Sequence, residues 1–98
     1  MVEIRQTETF ARWISRLKDR VAKLTIAKRI DRLAAGHFGD VRVVGEGVKE
    51  LRIHFGPGYR VYFIERSSVV IVLLCGGDKR TQFRDIEAAK KMARELQE

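Results

Sequence analysis

The sequence has few of the residues from which metal sites and disulfide frameworks are built. Its 98 residues include one cysteine, Cys75, and two histidines, His37 and His54. A single cysteine excludes an intramolecular disulfide, and so small a set of ligands argues against a zinc site or another structural metal. Cys75 ends an apolar run, which indicates a small core residue and not a nucleophile.

Long apolar segments are absent as well. No apolar run approaches the roughly 18 residues of a membrane span, and the first five residues lack the apolar core of a signal peptide. The chain has one proline, no internal repeat and no Pro/Ser-rich linker. We therefore expect a single domain, residues 1–98, in the cytoplasm and without a membrane partner.

Positive charge is abundant and unevenly distributed. There are 20 Lys+Arg against 13 Asp+Glu, a net charge of +7. Residues 12–32 hold eight basic and two acidic residues, and residues 51–84 hold six basic and two acidic ones. The balance indicates a polyanionic partner, although charge alone does not identify it. For residues 12–32, the solvated outer face of a helix pair is a sufficient explanation.

Hydrophobic periodicity predicts an α+β fold of order βααββββα: a mainly antiparallel sheet, a helix hairpin on one face and a C-terminal helix. The expected strands are 2–5, 41–44, 48–55, 59–66 and 69–75, the last one buried on both faces. The expected helices follow a cap at Thr7 or Thr9, span residues 20–35 before Gly36, and begin near Thr81. Residues 76–79 are expected to form a loop.

The turn at Gly56-Pro57-Gly58 predicts which side chains share a surface. With a three-residue loop, His54 faces Arg60 and Arg52 faces Tyr62 across the ladder. Alternation then puts the core on one face, formed by Leu51, Ile53, Phe55, Tyr59, Val61 and Phe63. The four paired residues lie on the opposite face, with Arg60 exposed and without an obvious local partner.

The loop after the buried strand is expected to bring Lys79 and Arg80 to the same edge of the sheet. Gly76 and Gly77 are expected to let the backbone approach a ligand. The N-terminus of the following helix is expected to offer free N–H groups to a phosphate.

Cations with a tyrosine and a histidine suit RNA, because the cations neutralise phosphates and aromatic rings stack on unpaired bases. Such a group can also cleave RNA without a metal. The ribose 2′-hydroxyl attacks the adjacent phosphate, and Arg and Lys stabilise the charge that develops there. A proton donor protonates the leaving 5′-oxygen. Structural roles remain open: Arg52 paired with Glu50 or Glu65, His54 as an ordinary exposed strand residue, and Tyr62 as a packing residue. His37 is interpreted as a residue that caps the second helix.

Two segments, ELRIHFGPGYRVYF at residues 50–63 and GGDKRTQ at residues 76–82, resemble the RelE/ParE toxin superfamily, in particular its HigB-like branch of addiction-module killer proteins. The resemblance extends over nearly the whole chain. It implies the toxin of a type II toxin–antitoxin module, a ribosome-dependent endoribonuclease that needs neither a metal nor an organic cofactor.

The resemblance also implies site residues. Arg60 matches the arginine that contacts the scissile phosphate, while Arg52, Lys79 and Arg80 match basic positions in the same cleft. The predicted catalytic set is Arg60, Lys79, Arg52, His54 and Tyr62, and the predicted RNA-binding set is Arg52, Arg60, Lys79, Arg80, Phe83 and Arg84. Relatives often have an aromatic residue or a histidine near the start of the last helix, for stacking or proton transfer. The nearest residues here are Gln82 and Phe83, and neither can serve as a general acid. Lys79, Tyr62 and His54 are therefore the remaining candidates for proton transfer.

The implied partners are a helix-turn-helix antitoxin, the ribosome with its RNA, and mRNA; operator DNA is expected only through the antitoxin complex. Two other functions are compatible with the same scaffold: a ParE-like inhibitor of DNA gyrase and a non-catalytic RNA-binding regulator. Clustered cations favour the nuclease, because a gyrase inhibitor needs no phosphate-transfer centre. Since a fold does not determine an activity, the choice depends on the site.

Overall fold

A computed structural model describes residues 2–96 of the chain. The order of its elements confirms the predicted α+β fold. In chain order they are β1 (Glu3–Gln6), α1 (Glu8–Arg16), α2 (Arg20–Ala34), β2 (Val41–Gly45), β3 (Val48–Ile53), β4 (Tyr59–Ser67), β5 (Val70–Gly77), a short 3₁₀ helix (Lys79–Thr81) and α3 (Gln82–Leu96). No helix within residues 2–96 is both long and apolar enough to cross a membrane.

The strands form one five-stranded sheet in the order β1-β5-β4-β3-β2. Neighbouring strands are antiparallel except β1 and β5, which run parallel. Every other pair joins strands that are consecutive in the chain, whereas β1, the first strand, pairs with β5, the last, so that the chain must cross over between them. The middle strand is therefore β4, with β5 and β3 on either side, and β4 and β5 carry most of the buried side chains of the sheet.

Helices α1 and α2 cover one face of the sheet, as predicted. Their caps are local: the Thr7 hydroxyl accepts from the amide of Phe10, and the Asp19 carboxylate accepts from the amides of Val21 and Ala22. Thr7, and not Thr9, is thus the cap of α1. This face holds the predicted core residues; Leu51, Ile53, Val61 and Phe63 are buried against Phe10, Ile26 and Leu33, and Phe55 and Tyr59 pack beside them.

Helix α3 covers the other face, which the sequence led us to expect would be open to solvent. Ala89 and Ala93 are buried against a second apolar cluster formed by Val48, Tyr62, Ile64, Val72, Leu74 and Cys75. Small alanines let the helix approach the sheet closely, and the strands beneath are therefore buried on both faces. Burial also raises the pKa of the Cys75 thiol to about 12, consistent with the core role predicted for it.

The predicted register of the β3–β4 hairpin was wrong by two residues. Pairing stops at Ile53 and Tyr59, so the loop comprises residues 54–58 instead of 56–58. Phe55 leaves the ladder to pack against the core, and Gly56 and Gly58 both adopt positive φ in the turn. As a result Arg52 faces Arg60, and Tyr62 faces Glu50.

Gly76 and Gly77 belong to β5 and not to the expected loop. They pair with Val61 and Arg60 of β4. A Cβ atom at Gly76 would overlap the ring of Trp13, and one at Gly77 would overlap the carboxylate of Asp85. The glycines therefore make room for side chains of α1 and α3, and the expectation that they admit a ligand is corrected.

Substituting Gly76 by alanine tests this close approach. We expect the added methyl group to lower the free energy of unfolding by about 1–3 kcal/mol, because the core must shift to accept it. Denaturant unfolding followed by circular dichroism measures the change. In a Trp13→Leu background the same substitution should cost clearly less, since the smaller side chain leaves space. Equal costs in both backgrounds would contradict the assignment.

Candidate active site

The β3–β4 loop and the 3₁₀ helix enclose a cleft of about 320 Å³. Its lining includes three of the predicted catalytic residues: Arg60 from β4, His54 from the loop, and Lys79 from the 3₁₀ helix. Gly58 lets the last of these approach, because a Cβ atom there would lie 3.1 Å from the Lys79 side chain. The cleft thus combines two cations with an imidazole.

Arg60 lies at the base of the cleft and is only 2% exposed. The expectation of an exposed arginine without a partner is therefore wrong. Helix α3 covers this face of the sheet, and the carboxylate of Glu50 lies 3.8 Å from the Arg60 Nε atom. Removing Arg60 leaves a buried carboxylate without its cation, so Arg60→Ala is expected to destabilise the fold.

Glu50 is completely buried, and three side chains contact one of its carboxylate oxygens. Its Oε2 accepts from the Tyr62 hydroxyl at 2.9 Å and from the Gln82 amide at 2.8 Å, in addition to its pairing with Arg60. Glu50 Oε1 and Arg60 Nε have no hydrogen-bond partner within residues 2–96. The carboxylate therefore holds Arg60 by charge, while its hydrogen bonds go to Tyr62 and Gln82.

Tyr62 is fully buried beneath α3, which corrects its predicted place on an open surface beside the cations. It is not among the residues that line the cleft. Burial raises the pKa of its hydroxyl well above the usual value, and the hydrogen bond to Glu50 raises it further. The phenol therefore remains a protonated donor. The alternative role of Tyr62 as a packing residue agrees with this position.

The start of the last helical segment is already capped within the chain. The Asp78 carboxylate accepts from the backbone N–H of Arg80 at 2.8 Å, and the Thr81 hydroxyl accepts from the backbone N–H of Asp78. The expectation of free N–H groups for a phosphate is thus corrected at this end. The exposed guanidinium of Arg80 also pairs with Asp78, at 3.1 Å, and this contact lowers the pKa of that carboxyl.

His54 and Arg52 share a carboxylate that the sequence had not suggested. The Nε2 atom of His54 lies 2.5 Å from Asp40 Oδ2, and the Arg52 Nε atom lies 3.8 Å from the same oxygen. Arg52 therefore pairs with neither of the acidic residues considered for it; Glu65 instead binds Lys49. Arg52 lies opposite Arg60 in the ladder, and not opposite Tyr62 as predicted, and it does not line the cleft.

Phe83 and Arg84 lie outside the cleft, on the first turn of α3. Phe83 is 83% exposed, the most exposed large hydrophobic residue that the structure describes. Arg84 is also exposed, with its Nε 3.9 Å from Asp85. An exposed ring between basic residues is compatible with base stacking, and this pair stays a predicted RNA contact.

Sequence reasoning missed Asp40 as a partner of His54, Glu50 as a partner of Arg60, and the structural role of Gln82. For Glu50 a signal existed, because it alternates with Arg52 along the polar face of β3. The error of two residues in register replaced it with Arg52 as the neighbour of Tyr62. Within residues 2–96 no three His, Cys, Asp or Glu side chains are grouped to hold a metal ion.

The sequence matches one protein family and a relative of similar length. Residues 12–97 match the family described as Phage derived protein Gp49-like (DUF891). An uncharacterized protein of Haemophilus influenzae (strain ATCC 51907 / DSM 11121 / KW20 / Rd) is 50% identical over 95 residues, which is 97% of this chain and 96% of the relative. The match therefore includes both the cleft and the helix that covers the buried ion pair.

The buried pair can be tested by a double-mutant cycle on stability. Glu50→Gln leaves the Arg60 charge without its carboxylate, and we expect a loss of about 3–5 kcal/mol in the free energy of unfolding. Arg60→Met should cost a similar amount, whereas the double variant should cost less than the sum of the two. Tyr62→Phe, which removes one hydrogen bond to the same carboxylate, should cost about 1.5–3 kcal/mol. Additive single costs, measured by denaturant unfolding, would contradict the pairing.

Proposed function

This chain belongs to the Gp49-like family of phage-derived proteins, a toxin-like family of toxin–antitoxin systems, and from this premise we propose that it is a type II toxin that cleaves mRNA on the translating ribosome. Residues 1–98 are then one toxin domain that acts in the cytoplasm. A helix-turn-helix antitoxin is its proposed partner, and operator DNA is reached only through that antitoxin.

The observation that carries the proposal is the buried guanidinium of Arg60 at the base of a cleft that Lys79 and His54 also line. Its only side-chain hydrogen bond within residues 2–96 is a long one, 3.4 Å from Nη1 to the carbonyl of Tyr59. Donors therefore remain for an anion. A fixed cation in a partly desolvated site stabilises a pentacoordinate phosphate more strongly than a cation in water does.

The proposed reaction is a transesterification within the RNA. The 2′-oxygen loses its proton and attacks the neighbouring phosphorus, while the bond from phosphorus to the 5′-oxygen breaks. The leaving oxygen takes a proton, and the products are a 2′,3′-cyclic phosphate and a 5′-hydroxyl. His54 and Lys79 are the groups of the cleft that can exchange these protons, and Arg60 stabilises the charge on the phosphoryl oxygens. Neither a metal nor an organic cofactor is required.

The exposed side chains near the cleft, two arginines and a phenylalanine, are proposed to bind RNA and not to take part in catalysis. Arg80, Phe83 and Arg84 lie on consecutive turns at the start of the last helical segment. Their exposure suits binding of the RNA strand or of ribosomal RNA, and not proton transfer. Arg52, whose Nε atom lies 3.8 Å from Asp40 Oδ2, is also proposed to bind RNA.

The cellular target is tested by pulse-labelling after induction of the toxin. We expect incorporation of labelled amino acids to stop before incorporation of labelled thymidine, and mRNA to be cut only where it is translated. If DNA synthesis stops first, the gyrase alternative is favoured and the proposed function fails. If RNA is bound but stays intact, the non-catalytic regulator is favoured.

The cleft is tested by substituting its exposed side chains, because these can be changed without disturbing the buried pair. Lys79→Ala and His54→Ala should each lower the rate of ribosome-dependent cleavage by about 10²-fold or more, since each removes a group for proton transfer or charge stabilisation. Lys91→Ala, at an exposed position of α3, is the matched control and should retain wild-type cleavage. Unchanged rates in both cleft variants would contradict the assignment.

A further inference from the structure

His54 is joined to Asp40 by a hydrogen bond whose direction can be deduced. The distance from His54 Nε2 to Asp40 Oδ2 is 2.5 Å. This bond is the largest cause of the lowered pKa of Asp40, and the positive charges of Arg52 and Arg29 lower it further. An ionised carboxylate can only accept, so Nε2 carries the hydrogen. In the neutral ring, Nδ1 is then the nitrogen with a free lone pair.

The backbone that carries Asp40 is held by several contacts, which distinguishes this pair from a chance contact between exposed side chains. The Asp40 carbonyl accepts from the backbone N–H of Arg52 at 2.9 Å. Arg29 of α2 donates from Nη1 to the Arg52 carbonyl at 2.8 Å and from Nη2 to the Phe38 carbonyl at 3.4 Å. The segment before β2 is therefore tied both to the end of β3 and to α2.

Gly39 is required for this arrangement. Its φ is +67°, and a Cβ atom at this position would lie 2.8 Å from Arg29 Nη2. The absence of a side chain lets the Arg29 guanidinium pass beneath the segment and reach both carbonyls. Arg52 then completes the surroundings of Asp40, with its Nε atom 3.8 Å from the oxygen that accepts from His54.

We propose that Asp40 is the positioning residue of the active site: it holds the imidazole of His54 in the form that carries hydrogen on Nε2, which makes Nδ1 the proton acceptor in the cleft. This inference rests on the proposed function. Nδ1 has no hydrogen-bond partner within residues 2–96, and the His54 side chain is 66% exposed. Asp40 itself does not line the cleft and acts through the histidine.

The chemical consequence concerns the first proton transfer of the cleavage. Nδ1 takes the proton of the 2′-hydroxyl while the 2′-oxygen bonds to phosphorus, so the ring becomes an imidazolium. Asp40 stabilises that positive charge through the hydrogen bond that it already accepts. The leaving 5′-oxygen takes its proton from the ammonium group of Lys79 or from water. The ring then releases its proton to solvent, and Lys79, where it was the donor, regains a proton from solvent, so that no other reactant is consumed.

The experiment compares the wild type with Asp40→Asn, which keeps the shape of the side chain and removes its charge. The first measurement is the ¹⁵N NMR spectrum of the histidine ring nitrogens, recorded above pH 8 with the full chain. His37 is the internal reference, because it makes no side-chain hydrogen bond within the described residues. We expect His54 to carry hydrogen on Nε2 in the wild type and to become a mixture of both ring forms in Asp40→Asn.

The second measurement is cleavage of mRNA on purified ribosomes. Asp40→Asn should lower kcat by about 10²-fold and leave KM within about twofold of the wild type, since Arg60 and Lys79, the cations that line the cleft, are unchanged. Asp31→Asn, an exposed aspartate of α2, is the matched control and should match the wild type in both measurements. Asp40→Glu, which restores a carboxylate, should recover part of kcat.

The outcomes separate this inference from the proposed function. A wild-type protein that cleaves no RNA on ribosomes overturns the proposed function, whatever the NMR spectrum shows. A wild-type protein that cleaves, with an equally active Asp40→Asn variant, overturns only the inference about Asp40. An unchanged His54 spectrum in Asp40→Asn also overturns it, because the carboxylate would then not set the form of the ring.

Discussion

The candidate site depends on an ion pair between Glu50 of β3 and Arg60 of β4, in which both side chains are buried. Bringing two charges out of water is costly, and the cost is tolerable only if both are well partnered. The hydroxyl of Tyr62 and the amide of Gln82 supply hydrogen bonds to the carboxylate. Both of these hydrogen bonds go to Oε2, and Glu50 Oε1 and Arg60 Nε have no hydrogen-bond partner within residues 2–96. The guanidinium is therefore attracted by charge, and most of its donors are not used up at the base of the cleft.

The same pair connects the fold to the proposed chemistry. Gln82 is the first residue of α3, so its hydrogen bond to Glu50 fixes where that helix begins relative to the sheet. The preceding 3₁₀ helix carries Lys79, which packs against Gly58 on the other wall of the cleft. A change at Glu50 therefore alters both the charge beneath the cleft and the position of its wall. Stability and activity are expected to be coupled at this residue and largely separate at Lys79.

Local pattern was sufficient to predict the order of elements and one face of the sheet. Alternation along β3 and β4 gives the same core residues in either register, because a shift of two residues leaves every side chain on its own face. It changes the cross-strand neighbours, however, and so Tyr62 was paired with Arg52 and not with Glu50. Nor does local pattern show that α3 lies over the polar face, which converts exposed residues into buried ones. The partner of His54 was missed for a related reason. Asp40 is distant from His54 in sequence, and the backbone around it is held by hydrogen bonds from Arg29 of α2.

The positive electrostatic character of the cleft depends more on where the nearby carboxylates lie than on the total charge of +7. Two of the three polar groups that line it, Arg60 and His54, have a carboxylate partner, and neither Glu50 nor Asp40 lines the cleft itself. Lys79 forms no ion pair with any residue from 2 to 96. In the proposed function a phosphate in the cleft therefore contacts two cations and an imidazole, and not the carboxylates that pair with two of them. In the proposed function the carboxylates orient the cleft residues without lining the cleft. The basic residues of the helix hairpin do not provide such an arrangement, and Arg29 among them is bound to backbone carbonyls.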